Sequence, residues 1–485
     1  MTAAVERVEL APGFEIARLV LGLWQVADME RQGARLDAEH AADAMGAYVD
    51  AGLTTFDMAD HYGSAEDIAG AFRARAQHGG EMLTKWVPRP GPMTKQDARA
   101  AVERALERLR SDRIDLLQFH AWRYADPRWL DCLFWLQELK ADGLIRHLGL
   151  TNFDTAHLHI ALSSGLDITS NQVCFSLIDR RPTARMLDLC RSTGVGLLAY
   201  GTVAGGLLTE RWLGAPEPIL DGLTWSESKY LRFIRAAGGW DAFQSLLCTL
   251  NDIARRHNTS MANVACRWVL DHPGVSAVIV GARLGETSHI DDNRRLFGLQ
   301  LDDTDRARLN ATADALTAIP GDCGDEYRRP PFLTATGDLS QHFDEMPLPF
   351  APDTDGTGSA RVITGTTWES VGGFSRAVRR GDRIVVSGTT ATHGDRVIGG
   401  SDATAQMHFI IDKIEGAILS LGGRLEDIIR TRLYVRRIED WEAVTRAHGQ
   451  RLSHVMPANT LVQANLVGAD YLVEMEAEAQ VSGNA

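Results

Sequence analysis

No apolar run in this chain approaches the roughly 20 residues that a membrane-spanning helix needs, so no bilayer span is expected. Basic residues do not dominate: 50 Lys and Arg stand against 64 Asp and Glu, a formal charge of −14. That balance argues against nucleic acid or an anionic membrane as partner. Cysteine is scarce, with six residues and no C-x-x-C pair. Cys132, Cys174, Cys190, Cys248, Cys266 and Cys323 show no disulfide or metal-ligand rhythm, so reduced thiols and no metal site are expected. The opening Met1-Thr2-Ala3-Ala4-Val5-Glu6-Arg7 has no basic stretch followed by an apolar one. No secretory signal is read there, and a cytoplasmic location is expected. No internal repeat is visible, which argues against a solenoid.

What is present is ordinary globular material, 45% hydrophobic and 24% charged. A length of 485 residues exceeds one core and predicts two or three domains. From residue 15 to about 318, short apolar runs alternate with amphipathic stretches. Strand patterns begin at Leu19, Thr54, Met82, Ile114, His147, Ser170, Gly196 and Ala277. Helical patterns lie between them. In one, Asp97, Arg99, Glu103, Arg104, Glu107 and Arg108 surround Val102, Leu106 and Leu109, as an outer helix should. Such alternation implies parallel strands with crossover helices. Eight repeats of it fit a closed α/β barrel, the (β/α)8 or TIM barrel, better than an open sheet.

Asp57, Tyr62, Lys85 and His120 each sit at or just past the end of one of these strands. A (β/α)8 barrel keeps its chemistry at the carboxyl ends of its strands. An acid, a phenol, an amine and an imidazole together are equipment for moving protons. The segments Phe56-Asp57-Met58-Ala59-Asp60-His61-Tyr62-Gly63, Leu83-Thr84-Lys85 and Gln118-Phe119-His120 resemble the aldo-keto reductase signature, with all four catalytic residue types in the family's order. The resemblance implies a barrel domain over residues 1–335 that reduces an aldehyde or ketone, or oxidises the corresponding alcohol.

Carbonyl reduction adds a hydride to carbon and a proton to oxygen. No side chain supplies a hydride, so a nicotinamide cofactor is implied, NADPH or NADH. A phenol with an ordinary pKa of about 10 is a weak acid–base catalyst near neutrality. A neighbouring ammonium lowers that value. The resemblance therefore implies Tyr62 as general acid/base, Lys85 lowering its pKa, Asp57 holding Lys85, and His120 orienting the carbonyl oxygen.

By the same resemblance, Thr151, Asn152 and Gln172 contact the carboxamide, and Tyr200 stacks on the nicotinamide face. Gly201 stands where the family has Ser, and Thr202 is the candidate substitute at the pyrophosphate. Gly201–Leu208 offers small residues and backbone amides there. Val280-Gly281-Ala282-Arg283 resembles the family's adenosine-phosphate segment. Arg283 is either the fork for a 2′-phosphate, which favours NADPH, or a surface arginine. Asn293 is placed for the adenine, while His289 stands where many NADPH-preferring relatives carry Arg. Trp24, Trp86 and Trp122 fall near the predicted mouth, as an aromatic substrate wall or as core. Residues 211–245, with Trp212, Trp225, Tyr230, Phe233 and Trp240, read as a lid over the mouth or as surface packing.

Residues 336–361 read as a linker, and 362–485 as a compact α+β domain. Val386-Ser387-Gly388, Gly422-Gly423-Arg424-Leu425-Glu426-Asp427-Ile428, Met456-Pro457-Ala458 and Val473-Glu474-Met475-Glu476-Ala477 resemble the RidA/YjgF family, with its chorismate-mutase-like fold. Imine deaminases of that family carry an Arg directly after the Pro-Ala, whereas this chain has Asn459. Glu476 matches the family's water-positioning acid, and Glu474 precedes it on the same strand face. Two carboxylates without the Arg disfavour an anionic imino acid. The resemblance leaves three roles: an assembly module giving a homotrimer or a multiple of three, a site for an uncharged or cationic imine or enamine, and an inert remnant. Assembly is the preferred role. The expected whole is a carbonyl reductase acting on a small molecule. A nicotinamide-nucleotide sensor with little turnover is the alternative from another class.

Overall fold

The computed structural model describes residues 4–26, 36–75, 80–286, 288–328, 346–354, 356 and 359–481. A short antiparallel hairpin comes first, β1 (Arg7–Ala11) and β2 (Phe14–Ala17). Eight parallel strands then close into a barrel: β3 (Leu19–Gly22), β4 (Thr55–Asp57), β5 (Glu81–Trp86), β6 (Ile114–His120), β7 (Ile145–Thr151), β8 (Ile168–Cys174), β9 (Gly196–Tyr200) and β10 (Val275–Gly281). This is the expected (β/α)8 barrel. Each strand pattern read from the sequence is found: four gain one or two residues at their ends, two match, and the patterns at Leu19 and Thr54 each lose one residue.

The strand β6 shows why the barrel forms and where its polar groups go. Successive side chains point to opposite faces. Leu117 and Phe119 face the helices and join the outer core, whereas Leu116 joins the barrel interior. Gln118 and His120 continue the inward series above Leu116, and both are buried. On β5 the same step carries the series from Leu83 to Lys85. The interior is therefore apolar below, with Val20, Leu83, Leu116, Leu198, Ala277 and Ile279, and polar at the carboxyl ends. Leu10, Phe14 and Ile16 of the hairpin plug the lower opening.

The outer helices follow their sequence signals. Thr94 caps α3 (Lys95–Arg108): its Oγ1 accepts from Asp97 N, and Asp97 accepts from Thr94 N. Such caps are worth about 1 kcal/mol. Ala98, Ala101, Val102 and Ala105 form the buried face.

The second domain is a seven-stranded sheet in the order β11-β12-β13-β14-β19-β17-β18. Its strands are β11 (Pro352–Thr354), β12 (Ser359–Val362), β13 (Ala377–Arg380), β14 (Arg383–Thr390), β17 (Ile428–Val435), β18 (Ala458–Gln463) and β19 (Val473–Gln480). The small hairpin β15 (Thr392–His393) and β16 (Arg396–Val397) stands apart. The long helix Ala403–Ser420 covers one sheet face through Phe409, Ile410, Ile414 and Ala417. This is the expected RidA-like α+β architecture. The linker span 336–361 holds β11 and most of β12, while its residues 336–345 lie outside the described residues.

The two domains touch closely. A Cβ on Gly416, in the long helix, would lie 2.2 Å from Ala125 O of the barrel. A Cβ on Gly400 would lie 2.6 Å from Ser163 O. At the helix α5 (Thr155–Ser163), His157 bonds Asp154 through Nδ1 at 2.6 Å and Asp412 through Nε2 at 2.8 Å. His159 reaches Asp402 and His393 reaches Asp131, each at 2.8 Å. Among the described residues no helix is long and apolar enough to cross a membrane.

Candidate active site

The four expected catalytic residues converge at one end of the barrel. Lys85 Nζ donates to Asp57 Oδ2 at 2.6 Å and to Met58 O at 2.9 Å. The other oxygen of Asp57 accepts from Gln118 Nε2 at 3.0 Å and from Gln172 Nε2 at 2.8 Å. After β4 the chain stays beside β5: Met58 N bonds Leu83 O and Asp60 N bonds Lys85 O. That course brings the Tyr62 ring over Lys85, whose Nζ lies 5.1 Å from the ring centre. His120 is buried, with Nδ1 3.4 Å from Thr151 O.

The electrostatics depart from expectation at one point. Burial opposes charge on Lys85, but Asp57 and Tyr62 outweigh it and hold the amine above its ordinary pKa. Burial also pushes the Tyr62 phenol up, by more than Lys85 pulls it down, and Asp57 adds to the rise. The lowered phenol pKa expected from Lys85 is thus not what this structure gives. The reason is that Asp57 screens Lys85 from one side while burial removes water from the other.

The aromatic wall divides by residue. Trp24 meets Tyr62 edge to face at 4.9 Å, and Trp122 meets His120 the same way at 4.4 Å. Trp86 is buried against Phe119 at 5.6 Å. It also lines a cavity of about 510 Å³ with Asp60, His61 and Arg104, whose lining includes none of the tetrad.

The cofactor residues divide too. Thr151 is buried, with Oγ1 3.3 Å from Gln172 O. Asn152 takes a left-handed φ of 60° and accepts from Tyr200 OH at 2.7 Å. Gln172 faces the barrel interior, where its amide nitrogen holds Asp57 and Gln118 Oε1. Gly201 has φ +72°, and a Cβ there would meet Tyr230 OH at 2.3 Å, so the family's Ser would require the Tyr230 ring or the turn to shift. Thr202 does not replace it: it is fully buried, with Oγ1 3.6 Å from Cys266 Sγ. Arg283 is exposed, and Asn293 is buried on α10 (Ile290–Arg295). A Cβ on Gly281 would lie 2.2 Å from Gln25 Oε1, a buried oxygen with no hydrogen-bond partner among the described residues. A bare backbone, an orphaned acceptor and an exposed guanidinium in one neighbourhood fit a nucleotide. The ribose hydroxyls can donate to Gln25, and the phosphate can take Arg283.

Three groups escape sequence reasoning. Gln118 lies inside a recognised motif, yet only the fold shows its bond to Asp57. Lys229, on α7 (Trp225–Ala236), comes within 5.3 Å of the Tyr200 ring centre and 4.5 Å of that of Tyr327. Tyr327 lies 5.7 Å from His120, ring to ring. Segment 211–245 thus packs its aromatics and also carries one cation toward the strand ends. Lys229 reaches the mouth, while Trp212 packs edge to face on Trp240 at 6.0 Å.

In the second domain the expected pair is not brought together. Thr431 lies beside Asn459 and Ala477, whereas Arg432 lies beside Glu476, so Asn459 and Glu476 point to opposite sheet faces. Asn459 Nδ2 donates to Thr431 Oγ1 at 2.8 Å. Glu476 accepts from Arg432 at 2.9 Å and from Tyr434 OH at 3.2 Å. The face is therefore less hostile to an anion than two bare carboxylates would be. Burial and Glu476 raise the Glu474 carboxyl above its ordinary range.

Comparison with known proteins agrees with this geometry. Residues 18–314 match the model of the aldo/keto reductase family, and 364–481 match that described as Endoribonuclease L-PSP. Aflatoxin B1 aldehyde reductase member 2 of Rattus norvegicus is 28% identical over 303 residues, covering 57% of this chain and 78% of that protein. An uncharacterized protein of Streptomyces coelicolor is 39% identical over 120 residues, covering 24% of this chain and 90% of that one. The structure of glycerol dehydrogenase from Gluconobacter oxydans shares the fold, with TM-score 0.55 and 22% identity over 65% of this chain and 97% of that one. With its barrel matched over most of its length, this chain belongs to the aldo/keto reductase family of NAD(P)-dependent oxidoreductases, and it carries a RidA-like domain behind the barrel.

Proposed function

We propose that the barrel reduces a small aldehyde or ketone with Tyr62 as general acid. The observation that carries this reading is the buried Lys85–Asp57 pair at 2.6 Å, with Lys85 5.1 Å from the Tyr62 ring centre. A nicotinamide cofactor, when bound, supplies the hydride. Tyr62 gives its hydroxyl proton to the carbonyl oxygen, and Lys85 stabilises the phenolate left behind. Asp57, held by Gln118 and Gln172, keeps Lys85 charged and aimed. His120 holds the carbonyl oxygen toward Tyr62, and Trp24 and Trp122 exclude water on either side. In the oxidative direction the same phenolate takes the alcohol proton. Arg283 supports NADPH over NADH.

The test is oxidation of NADPH and of NADH, followed by absorbance, over a panel of aldehydes, ketones and sugars. Tyr62→Phe is expected to lower kcat/KM by roughly 10²–10⁴-fold while leaving cofactor binding intact. Turnover that persists in Tyr62→Phe removes the assignment.

We also propose that the RidA-like domain assembles the chain as a trimer. Val385, Ile429 and Val462 stand exposed on the sheet. Light scattering that gives a monomer ends this part of the reading.

A further inference from the structure

The long helix Ala403–Ser420 carries Lys413 at only 4% exposure. Its Nζ donates to Thr392 O at 2.7 Å, and no carboxylate pairs with it among the described residues. Lysine is rare in this chain: Lys85, Lys95, Lys140, Lys229 and Lys413 are all there are. Lys85, Lys95 and Lys140 each hold a carboxylate. A buried amine bonded only to a neutral carbonyl is of a different kind.

Lys413 lines a cavity of about 210 Å³ between the two domains. The barrel contributes Asp126 and Arg128, and the rest of the wall includes Phe350, Thr366 and His393. Thr366 is 7% exposed, and its Oγ1 has no hydrogen-bond partner among the described residues. An amine and an orphaned hydroxyl on one wall are matched to a polar guest. With liquid water taking about 30 Å³ per molecule, the space suits a guest of a few heavy atoms.

We propose that Lys413 is a carbonyl-condensing amine whose Nζ forms an imine with a small aldehyde in the interdomain cavity. The nitrogen lone pair attacks the carbonyl carbon, and the C=O π pair moves to oxygen. A proton passes from nitrogen to that oxygen, giving the carbinolamine, whose hydroxyl Thr366 Oγ1 can bond. The hydroxyl then leaves as water with a proton from His393, which Asp131 holds at 2.8 Å. The C=N bond forms as the C–O bond breaks, and the nitrogen's remaining proton passes back to His393. Amine and aldehyde become imine and water, with nothing oxidised or reduced. Burial, with the Arg376 guanidinium adding to it and Glu369 opposing both, brings the Lys413 pKa down to about 7, which leaves a large share of free amine at neutral pH. The site is distinct from the barrel mouth and does not rest on the reductase reading.

The experiment traps the imine. The full chain is incubated at pH 7 with propionaldehyde and cyanoborohydride, which reduces an imine to a stable secondary amine, and each lysine is followed by peptide mass mapping. Lys413 is expected to be alkylated about 10-fold faster than exposed Lys95, despite its burial. Lys413→Arg is expected to lose that product while Lys95 labels as before. Labelling of Lys413 no faster than Lys95 overturns the proposal. So does labelling of Lys413 in wild type that appears only above pH 9, where exposed lysines become nucleophilic.

Discussion

His157 of the barrel and Asp412 of the second domain meet at 2.8 Å, Nε2 to Oδ2, with both side chains almost fully buried. Asp154 holds the other face of the imidazole at 2.6 Å, and Arg451 bonds the second oxygen of Asp412 at 2.6 Å. Two carboxylates, one imidazole and one guanidinium thus close a network across the domain boundary.

That network makes domain docking depend on pH. Burial opposes charge on His157, but Asp154 and Asp412 outweigh it and raise its pKa above the ordinary imidazole value. A cation with a raised pKa stabilises fully below about 6.5 and loses its contribution as pH climbs through the folded value. Burial likewise opposes charge on Asp412, while His157 and Arg451 hold its carboxyl below the usual range, so that contribution is lost in acid. The melting temperature should fall from pH 6 to pH 9, and His157→Gln should flatten that slope. Removing the imidazole leaves Asp154 and Asp412 facing each other, at a cost of roughly 3–5 kcal/mol. A melting curve unchanged in His157→Gln would contradict this.

Arg283→Ala should discriminate between the two cofactors. The guanidinium is exposed and engages no described side chain. Charge-assisted hydrogen bonds are worth about 1.5–3 kcal/mol, so the NADPH dissociation constant should rise on the order of 10- to 100-fold. NADH binding should stay within a factor of about two, because it lacks the 2′-phosphate. Tryptophan fluorescence titration reads both constants, and equal losses for the two cofactors would assign Arg283 elsewhere.

Gly201→Ser restores the family's residue and is nevertheless expected to damage the site. The backbone has φ +72°, and the new Cβ would fall 2.3 Å from Tyr230 OH. Overpacking of this kind costs about 1–3 kcal/mol. Both the melting temperature and cofactor affinity should drop, by calorimetry and by titration. Tighter cofactor binding in the variant would show that the turn can move aside.

Legibility followed sequence distance. The inward series on β5 and β6 was readable because a period of two places Lys85 above Leu83 and His120 above Gln118 within one short segment. The same local logic located the outer helices and the long helix of the second domain. The hairpin β1–β2 escaped notice because its five- and four-residue strands carry little periodic signal and acquire meaning only as a plug. Gln118 and Gln172 were visible as residues, but their shared hold on Asp57 joins positions 61 and 115 apart in the chain. The Tyr62 pKa could not be read from residue types, because burial decides its sign. Thr202 looked like a substitute hydroxyl, and only packing against Cys266 shows where it points.

Gly416 sets a rule for recombining such chains. Its helix runs so near Ala125 that any larger residue would strike the barrel backbone. A relative's RidA-like domain spliced onto this barrel would need a glycine at that helix position, and at the position of Gly400, before it could seat. The halves therefore behave as a matched pair, and the compatibility of a chimera can be read from two side chains that are not there.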